Sequence, residues 1–398
     1  MCKVMKVGWD YKTIGDIAFF QSGSRPKGGV GTIKEGVLSL GGEHIGKNGY
    51  ISIATPKYVT IDFYTNNPKG HIEENDILLC KDGALTGKVA IVRKELQGCK
   101  AMINEHVFII RTKHLLQKYL YYFLFSSKGQ IQLKSRISGA AQGGLNGANF
   151  KTISVPYPLE KDEQQRIVEE LDLLSGIIEK KKEQLKELDS LAQSIFYDMF
   201  GDPVTNEKGW EEKKLGEEFE VSSGGTPSTS KSEYWDNGNI SWIGSNMCQN
   251  QVLHKNDGKF ITKEGLEHSS AKLYLKGYVL VALVGATIGK VALLDFDTTT
   301  NQNIAGINVP NKKDYTSFFI FYLIQSLYYL FENIGEGKFK MANLSFIRAL
   351  PIISPPLSLQ QQFAEKVEAI EHQKELIKQS IKEVETLFNS RMDYYFDG

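Results

Sequence analysis

The chain has 398 residues, too many for one ordinary domain, and 41% of them are hydrophobic, enough for more than one core. Its 47 Lys and Arg balance 47 Asp and Glu. Residues 1–159 alone hold 21 basic and 11 acidic residues, a net charge of +10, whereas residues 160–200, 201–355 and 356–398 carry −5, −2 and −3. A basic region is typical of a domain that binds a polyanion, so the zero total does not exclude a nucleic-acid partner.

The four cysteines have neither the close spacing of a zinc site nor that of a disulfide framework; they are Cys2, Cys80, Cys99 and Cys248. Reduced thiols are typical of a cytoplasmic protein, and the N-terminus shows no signal-peptide pattern. We therefore expect a cytoplasmic chain, with no bound metal and no cofactor.

In chain order, short β-rich runs separated by glycine turns predict strands, and each group of strands precedes an apolar helix. The predicted strands are residues 37–40, 77–80, 88–92 and 107–111 in the first half, and 240–243, 278–283, 290–294 and 304–309 in the second. The predicted helices are residues 115–127 and 317–331. The second helix is very apolar but short for a membrane span and contains Gln325, so we expect it to be buried in a core, with no membrane partner.

The chain repeats itself with a period of about 200 residues. Trp9 recurs as Trp210, each after a glycine, and residues 77–92 match residues 279–294 at seven of sixteen positions. Such a period indicates a tandem duplication of a whole unit, not a solenoid of short repeats. Each unit consists of a globular α/β part followed by one long helix.

Residues 159–200 and 356–398 are predicted to form these long helices, because each begins after a proline and carries apolar residues at heptad spacing. The predicted seam residues are Ile167, Leu171, Leu174, Ile178, Leu185, Leu188 and Ile195, and Phe363, Val367, Ile370, Ile377, Ile381, Val384 and Phe388. Lys181 and Lys374 fill one seam slot in each helix. Two matching seams predict that the helices pack on each other.

No catalytic constellation is present in the sequence. The segments Gly83 to Lys88 and Gly285 to Lys290 resemble phosphate loops, but they are one residue short, lack the Ser/Thr after the lysine and precede a strand. We interpret them as tight turns between strands, whose lysines are available to a phosphate backbone. A nucleotide-using enzyme remains a minor alternative, which ATP binding by the chain would revive.

Three polar loops recur at matching places and combine glycines, hydroxyls and basic side chains that suit phosphates and base edges. They begin at Ser22, Gly41 and Ser138 in the first unit and at Ser223, Gly244 and Gly335 in the second. With the Gly-Lys turns they supply the candidate DNA-binding residues. These are Ser24, Arg25, Lys27, His44, Lys47, Lys81, Lys88 and Gln142, and Thr226, Ser228, Lys231, Ser245, Asn246, Lys290, Lys338 and Lys340.

The order of these parts resembles the DNA specificity subunit of type I restriction–modification enzymes over nearly the whole chain. The resemblance is carried by several motifs, each of which occurs in both halves or begins a long helix. They are Gly15 and Gly216, Ser22-Gly23 and Ser223-Gly224, Trp242-Ile243, the two Gly-Lys segments, Asn301-Gln302, and Pro158-Leu159 followed by Gln164-Gln165-Arg166-Ile167-Val168. The first unit departs from the pattern with Leu40-Gly41 and Asn104-Glu105.

The resemblance implies an α+β fold with pseudo-twofold symmetry. Two tandem α/β target-recognition domains, residues 1–158 and 201–355, would be separated by the two long helices, which would form an antiparallel coiled coil. Each domain would read one half of a bipartite site in double-stranded DNA.

The resemblance also implies partners. Two DNA adenine methyltransferase subunits and two restriction (motor) subunits would assemble with the chain and perform all catalysis, so the chain itself would not be an enzyme. The alternative is a coiled-coil scaffold that binds protein partners without reading DNA, which the acidic cluster at residues 207–220 favours.

Overall fold

The chain folds into two compact units, and each unit combines a globular part with parts of both long helices. The first unit is Met1–Lys182 with Ser380–Gly398, and the second is Glu183–Gln379. The computed structural model describes residues 6–30, 33–96, 98–137, 143–332, 334 and 341–397. The boundaries of the recognition domains at residues 158, 201 and 355 stay predictions, because the compact units divide each long helix near its middle.

The first unit is built from short strands and short helices ahead of its long helix. Its strands are β1 (Trp9–Thr13), β2 (Ala18–Ser22), β3 (Val37–Leu40), β4 (Tyr58–Val59), β5 (Ile77–Cys80), β6 (Val89–Ile91), β7 (Ala101–Ile103), β8 (Val107–Thr112) and β9 (Ser154–Pro158). Its short helices are α1 (Ile14–Ile17), α2 (Ile61–Asn66), α3 (Gln117–Phe125), α4 (Ser127–Lys134) and α5 (Gly147–Lys151). The predicted strands at 37–40, 77–80, 88–92 and 107–111 are all present.

The main sheet of the first unit has the order β2-β8-β5-β6, and its strands pair antiparallel. A second sheet has the order β4-β3-β7 with β3 parallel to β7, and β1 pairs antiparallel with β9. Alternate residues of the main sheet, such as Leu78, Ala90 and Ile109, enter one core, while Leu79 and Ile110 are buried on the opposite face. Burial on both faces explains why these strands are continuous apolar runs.

The second unit repeats this order of elements. Its strands are β10 (Glu211–Lys214), β11 (Val221–Ser223), β12 (Ile240–Ile243), β13 (Gln251–Leu253), β14 (Phe260–Ile261), β15 (Leu273–Tyr274), β16 (Val279–Ala282), β17 (Val291–Leu294), β18 (Thr298–Thr300), β19 (Ile304–Ile307) and β20 (Pro351–Ser354). Its short helices are α7 (Leu215–Glu218), α8 (Lys263–Glu267), α9 (Ser317–Ser326), α10 (Tyr328–Glu332) and α11 (Leu344–Arg348).

The sheets of the second unit have the same topology with added strands. The main sheet has the order β11-β19-β16-β17-β13, the second sheet β14-β12-β18-β15, and β10 pairs with β20. The added strands are β13, which extends the main sheet beyond β17, and β15, which pairs with β18. The duplication inferred from sequence is therefore a duplication of topology.

The predicted apolar helices are buried in each core, but each is interrupted. In the first unit Ser126 adopts an extended backbone and its hydroxyl accepts a hydrogen bond from Gly129, so a new helix, α4, begins there. In the second unit Leu327 ends α9 before α10 begins. Residues Phe319–Ile324 are buried. Among the described residues, no helix is long and apolar enough to cross a bilayer.

The two long helices are α6 (Lys161–Phe200) and α12 (Leu357–Phe396), each of 40 residues. In the first unit the guanidinium of Arg391 binds the carboxylate of Glu170, near the start of α6. In the second unit the rings of Phe196 and Phe363 pack at 5.7 Å between centroids, so the end of α6 meets the start of α12. The helices therefore pack antiparallel, and the predicted seam residues are buried or half-buried.

A buried glutamine fixes the start of each long helix to its globular part. The Gln164 side chain accepts a hydrogen bond from the Leu116 amide at 3.1 Å and donates to the Pro158 carbonyl at 3.0 Å. Gln360 accepts from the Thr316 amide at 3.0 Å and donates to the Pro355 carbonyl at 2.9 Å. The glutamine-rich helix starts are therefore structural joints.

Candidate nucleic-acid interface

In the first unit a glycine loop, residues 22–30, is held against an Asn loop, residues 104–106. A Cβ atom on Gly23 would lie 1.9 Å from a carbonyl oxygen of β7, so only glycine allows this close approach. The guanidinium of Arg25 then lies 3.4 Å from the carboxylate of Glu105. The end of β2 and the link between β7 and β8 thus meet at one edge.

The second unit makes the same contact between its glycine loop, residues 223–231, and its Asn loop, residues 301–303. A Cβ atom on Gly224 would lie 2.1 Å from the hydroxyl of Thr300. The hydroxyl of Thr226 donates to the side-chain oxygen of Gln302 at 2.7 Å. The repeat therefore preserves the contact while changing its chemistry.

The Gly-Lys turns, residues 81–88 and 283–290, lie beside the Asn loops. The amide of Lys81 donates to the carbonyl of His106 at 2.9 Å, and the amide of Leu283 donates to that of Asn303 at 2.8 Å. Each turn contains one 3-10 turn that begins at a glycine with positive φ, Gly83 or Gly285, and then leads into β6 or β17. A phosphate loop leads into a helix instead, so the interpretation as strand-to-strand turns is confirmed.

The segment that follows each third polar loop contacts the Gly-Lys turn of the same unit. The amide of Leu145 donates to the carbonyl of Lys81 at 2.7 Å, and the amide of Ala342 donates to that of Leu283 at 2.9 Å. The candidates Gln142, Lys338 and Lys340 fall on these loops but lie outside the described residues. In each unit, the glycine loop, the Asn loop, the Gly-Lys turn and this segment form what we call the loop edge.

The second polar loops, which follow β3 and β12, are also joined to the Asn loops. The amide of Asn104 donates to the carbonyl of Leu40 at 2.9 Å, and the amide of Asn301 donates to that of Ile243 at 3.1 Å. Ser245 is half-buried and Asn246 is exposed, in a 3-10 turn at the loop edge.

His44 does not face solvent, in contrast to the expectation that it contacts DNA. Its side chain is 1% exposed, its Nδ1 accepts from the amide of Gly41 at 2.9 Å, and its Nε2 lies 3.2 Å from the carbonyl of Thr55. Both ring nitrogens are used by the backbone of its own loop. Its role is to shape that loop.

Lys47 also lies away from the loop edge. It lines a cavity of about 220 Å³ together with Tyr121 of α3 and Glu385 of α12. An exposed lysine in a glycine-rich loop looked like a phosphate ligand from sequence, but the loop turns it toward the long helices of the first unit.

The remaining candidates of the first unit lie on the loop edge. Arg25 and Lys27 are exposed, and Ser24, Lys81 and Lys88 are half-buried. Lys81 forms an ion pair with Asp82 and lies over the ring of Phe108. The exposed cations of the glycine loop are therefore the most accessible to a polyanion.

In the second unit the described candidates are neutral or already hydrogen-bonded. Lys290 donates to the side-chain oxygen of Gln249 at 2.9 Å, and Lys231 donates to the hydroxyl of Tyr234 at 2.8 Å. The hydroxyl of Ser228 lies 2.8 Å from that of Ser230. The described part of this edge offers mainly hydroxyls and amides, which suit base edges better than phosphates.

Two tryptophans hold the glycine loop of the second unit, a role that the sequence analysis did not predict for either of them. The indole N–H of Trp242 donates to the carbonyl of Gly225 at 3.2 Å, and that of Trp235 donates to the carbonyl of Ser228 at 3.1 Å. The two rings pack edge to face at 5.4 Å. They line an open cleft of about 710 Å³ beside Thr226. The structural equivalent of Trp242 in the first unit is Ser39, because Ser39 pairs with Met102 of β7 as Trp242 pairs with Thr299 of β18.

The chain thus contains two α/β units with repeated loop edges and two long antiparallel helices. Residues 6–189 and 207–386 match the family described as the type I restriction modification DNA specificity domain. The chain belongs to this family, as its sequence motifs indicated.

Individual relatives carry the same description. The type I restriction enzyme MjaIX specificity subunit of Methanocaldococcus jannaschii is 26% identical over 385 residues, which cover 91% of this chain and 86% of that protein. The EcoR124I/EcoR124II specificity subunit of Escherichia coli is 25% identical over 239 residues, which cover 57% of this chain and 54% of that protein.

Solved structures share the fold. The S subunit of a type I restriction–modification system from M. genitalium aligns with a TM-score of 0.56 at 14% identity, over 100% of this chain and 97% of that chain. A chain from a structural study of complex assembly and conformational transition in a type I system aligns with a TM-score of 0.53 at 17% identity, over 98% of both chains.

Proposed function

We propose that this chain is the specificity subunit of a type I restriction–modification complex and that each unit reads one half of a bipartite site in duplex DNA. The observation that carries this proposal is the loop edge, which gathers the same four segments in both units. Loops on a rigid scaffold are the usual carriers of recognition. Two related but chemically different edges suit two unlike half-sites.

The proposed contacts fall into two kinds. The exposed cations of the first unit bind phosphates and fix position and register, which makes affinity dependent on salt. Hydroxyl and amide side chains read base edges, where a good bidentate contact discriminates by about 1–3 kcal/mol. The described residues proposed for contact are Ser24, Arg25, Lys27, Lys81, Lys88, Thr226, Ser228, Lys231, Ser245, Asn246 and Lys290.

The chain is proposed to act without catalysis of its own. Two DNA adenine methyltransferase subunits and two restriction subunits assemble with it in the cytoplasm and perform methylation, ATP hydrolysis and cleavage. Large apolar side chains are exposed on both long helices, with Leu173 at 66% and Leu376 at 54%. These exposed side chains are proposed as contacts for the partner subunits, and the acidic charge of the helices makes them poor ligands for DNA.

The proposal is tested by mapping methylated adenines in a genome with and without this chain, in the presence of its methyltransferase subunit. We expect one bipartite motif to be methylated only when the chain is present. An unchanged map would contradict the proposal.

A scaffold that binds only protein partners is the second candidate, favoured by the exposed apolar residues of the long helices. A gel shift with duplex DNA in the presence of the methyltransferase subunit separates the two. Binding that depends on sequence supports the specificity subunit, whereas a stable protein complex without a DNA shift supports the scaffold.

A further inference from the structure

A chain of four charged side chains and one histidine runs along the loop edge of the first unit. Glu105 Oε1 lies 3.4 Å from Arg25 Nη1 and 3.3 Å from His106 Nε2. The other ring nitrogen, His106 Nδ1, lies 3.3 Å from Asp82 Oδ2, and the same carboxylate forms an ion pair with Lys81. This charge chain connects the glycine loop, the Asn loop and the Gly-Lys turn, and His106 is at its centre between two carboxylates.

The second unit has an uncharged residue at every one of these five positions. The repeat aligns the charge chain, in the order Arg25, Glu105, His106, Asp82 and Lys81, with Thr226, Gln302, Asn303, Val284 and Leu283. The contact between the first two positions is kept as the hydrogen bond from Thr226 to Gln302. The second unit therefore makes the equivalent contact between its glycine loop and its Asn loop without charged side chains.

The charge chain is accessible to a ligand. The side chains of Arg25, His106 and Asp82 are 51%, 46% and 36% exposed. Glu105 has one carboxylate oxygen that is buried without a hydrogen-bond partner. The charge chain therefore lies on the loop edge, the surface that is proposed to contact DNA.

Four charged side chains of the loop edge lie nearest to His106. Its direct neighbours are the Glu105 and Asp82 carboxylates, with Arg25 and Lys81 one contact further on. The next acidic group along the edge is Glu43 of the second polar loop, which is paired with Lys57. The cation of Lys88 belongs to the adjacent Gly-Lys turn.

The protonation of His106 changes both the geometry and the charge of this edge. A protonated imidazole carries an N–H group on each nitrogen and attracts both carboxylates. A neutral imidazole has one N–H group, so its other nitrogen, a hydrogen-bond acceptor, faces the second carboxylate. The five side chains sum to +1 in the first state and to zero in the second. DNA, a polyanion, is attracted more strongly by the first state.

We propose that His106 is a positioning residue that makes the reading of one half-site pH-dependent. Protonation of the imidazole holds the glycine loop, Asn loop and Gly-Lys turn of the first unit in the DNA-binding arrangement, so binding tightens as the pH falls. The second unit reads its half-site independently of this effect. The inference rests on the proposed function, which supplies the DNA.

The experiment uses the complex of the full chain with its methyltransferase subunits and a duplex containing the mapped site. Its dissociation constant is measured by fluorescence anisotropy at pH 6 and pH 8 and constant ionic strength. The test variant is His106→Asn, because Asn303 stands at the equivalent position of the second unit. The matched control is His254→Asn, because His254 also lies between two carboxylates, 2.8 Å from Asp295 and 3.7 Å from Glu375, but away from the loop edge.

We expect the unmodified complex and the His254→Asn complex to bind about three- to tenfold more tightly at pH 6 than at pH 8. His106→Asn should remove most of this ratio while still binding the site at both pH values. When the bases of one half-site are substituted at a time, the pH-dependent change in affinity should be lost only for the half-site that the first unit reads.

Two outcomes would overturn the inference alone. One is sequence-specific binding with the same pH ratio in His106→Asn as in the unmodified complex. The other is loss of the pH-dependent change in affinity in His254→Asn as well, because the pH dependence would then not be specific to His106. A complex that shows no sequence preference at either pH would instead contradict the proposed function.

Discussion

Lys374 of α12 places its ammonium nitrogen 2.6 Å from the carboxylate of Asp189 on α6, inside the helix seam of the second unit. The same ammonium lies 2.6 Å from Glu371, and both of these side chains are only 7% exposed. Burial lowers the pKa of Lys374, but the hydrogen bonds to Asp189 and Glu371 outweigh it and raise the pKa above the ordinary value. The lysine that interrupts the heptad pattern is therefore charged and paired.

Lys374→Ala should strongly destabilise the second unit, because it leaves the buried carboxylate of Glu371 without its cation. We expect a loss of about 3–5 kcal/mol in the free energy of unfolding, measured with urea. Lys378→Ala is the matched control, since Lys378 forms a similar pair with Glu375 but is 39% exposed, and it should cost less than about 1 kcal/mol. Equal losses would contradict a special role for the seam lysine.

Gln360→Ala should weaken the joint between the second globular part and α12. The side chain is fully buried and bonds one amide and two carbonyls of the backbone. Leaving these groups unpaired should cost about 2–4 kcal/mol, measurable as a lower thermal midpoint. The adjacent exposed Gln361→Ala should change stability by less than about 0.5 kcal/mol. A similar effect of both substitutions would argue against the joint.

The stability of the first unit should fall at acidic pH through Glu170. Hydrogen bonds from Arg391, and also from Tyr395, hold the pKa of Glu170 below its ordinary value of 4.5, against the opposing effect of burial. A lowered pKa stabilises the fold above the ordinary value, and this stabilisation is lost as pH falls below 4.5 through the folded-state value.

Glu170→Gln should therefore be less stable than the unmodified chain near neutral pH, and the difference should shrink below about pH 4.5. Thermal midpoints recorded from about pH 7 to pH 3 test this pattern. Glu169→Gln, at the exposed neighbouring position, should show a smaller difference. A Glu170 difference that stays constant across this range would contradict the assignment.

Lys27→Ala should reduce the salt dependence of DNA binding, because Lys27 is exposed on the glycine loop of the first unit. Loss of one phosphate contact should lower the slope of log affinity against log salt by about 0.9, measured by anisotropy titrations of the complex. Lys47→Ala removes the same charge but lies beside the long helices, so it should leave the slope unchanged. Equal changes in both variants would place the DNA on another surface.

Much of the fold could be predicted from the sequence because glycine turns separate continuous apolar runs, as around residues 77–92. The seams were equally visible, since Ile167 and Phe363 begin regular heptad patterns. The breaks at Ser126 and Leu327 were hidden because serine and leucine both fit a helical pattern, and only the local backbone shows where α4 and α10 begin.

The candidate site was harder to predict because its parts are distant in sequence. A polar residue in a glycine-rich loop can face outward like Lys27 or inward like His44, and sequence alone does not distinguish them. The contact of Arg25 with Glu105 joins residues 80 positions apart. Sequence comparison between the two units did align Glu105 with Gln302, but only the fold shows that both meet the glycine loop.

The first unit needs residues from both ends of the chain to close its core. The ring of Phe396 packs on Tyr119 at 5.4 Å and on Phe123 at 5.8 Å, and Phe388 packs on Tyr122 at 6.1 Å between centroids. During synthesis, the aromatic side chains of α3 emerge from the ribosome more than 260 residues before these partners. The second unit, a continuous segment, has no such delay. The aromatic side chains of α3 therefore stay without these partners while the second unit and the end of α12 are translated. An aromatic surface that is exposed during synthesis favours aggregation, so the nascent chain needs protection there.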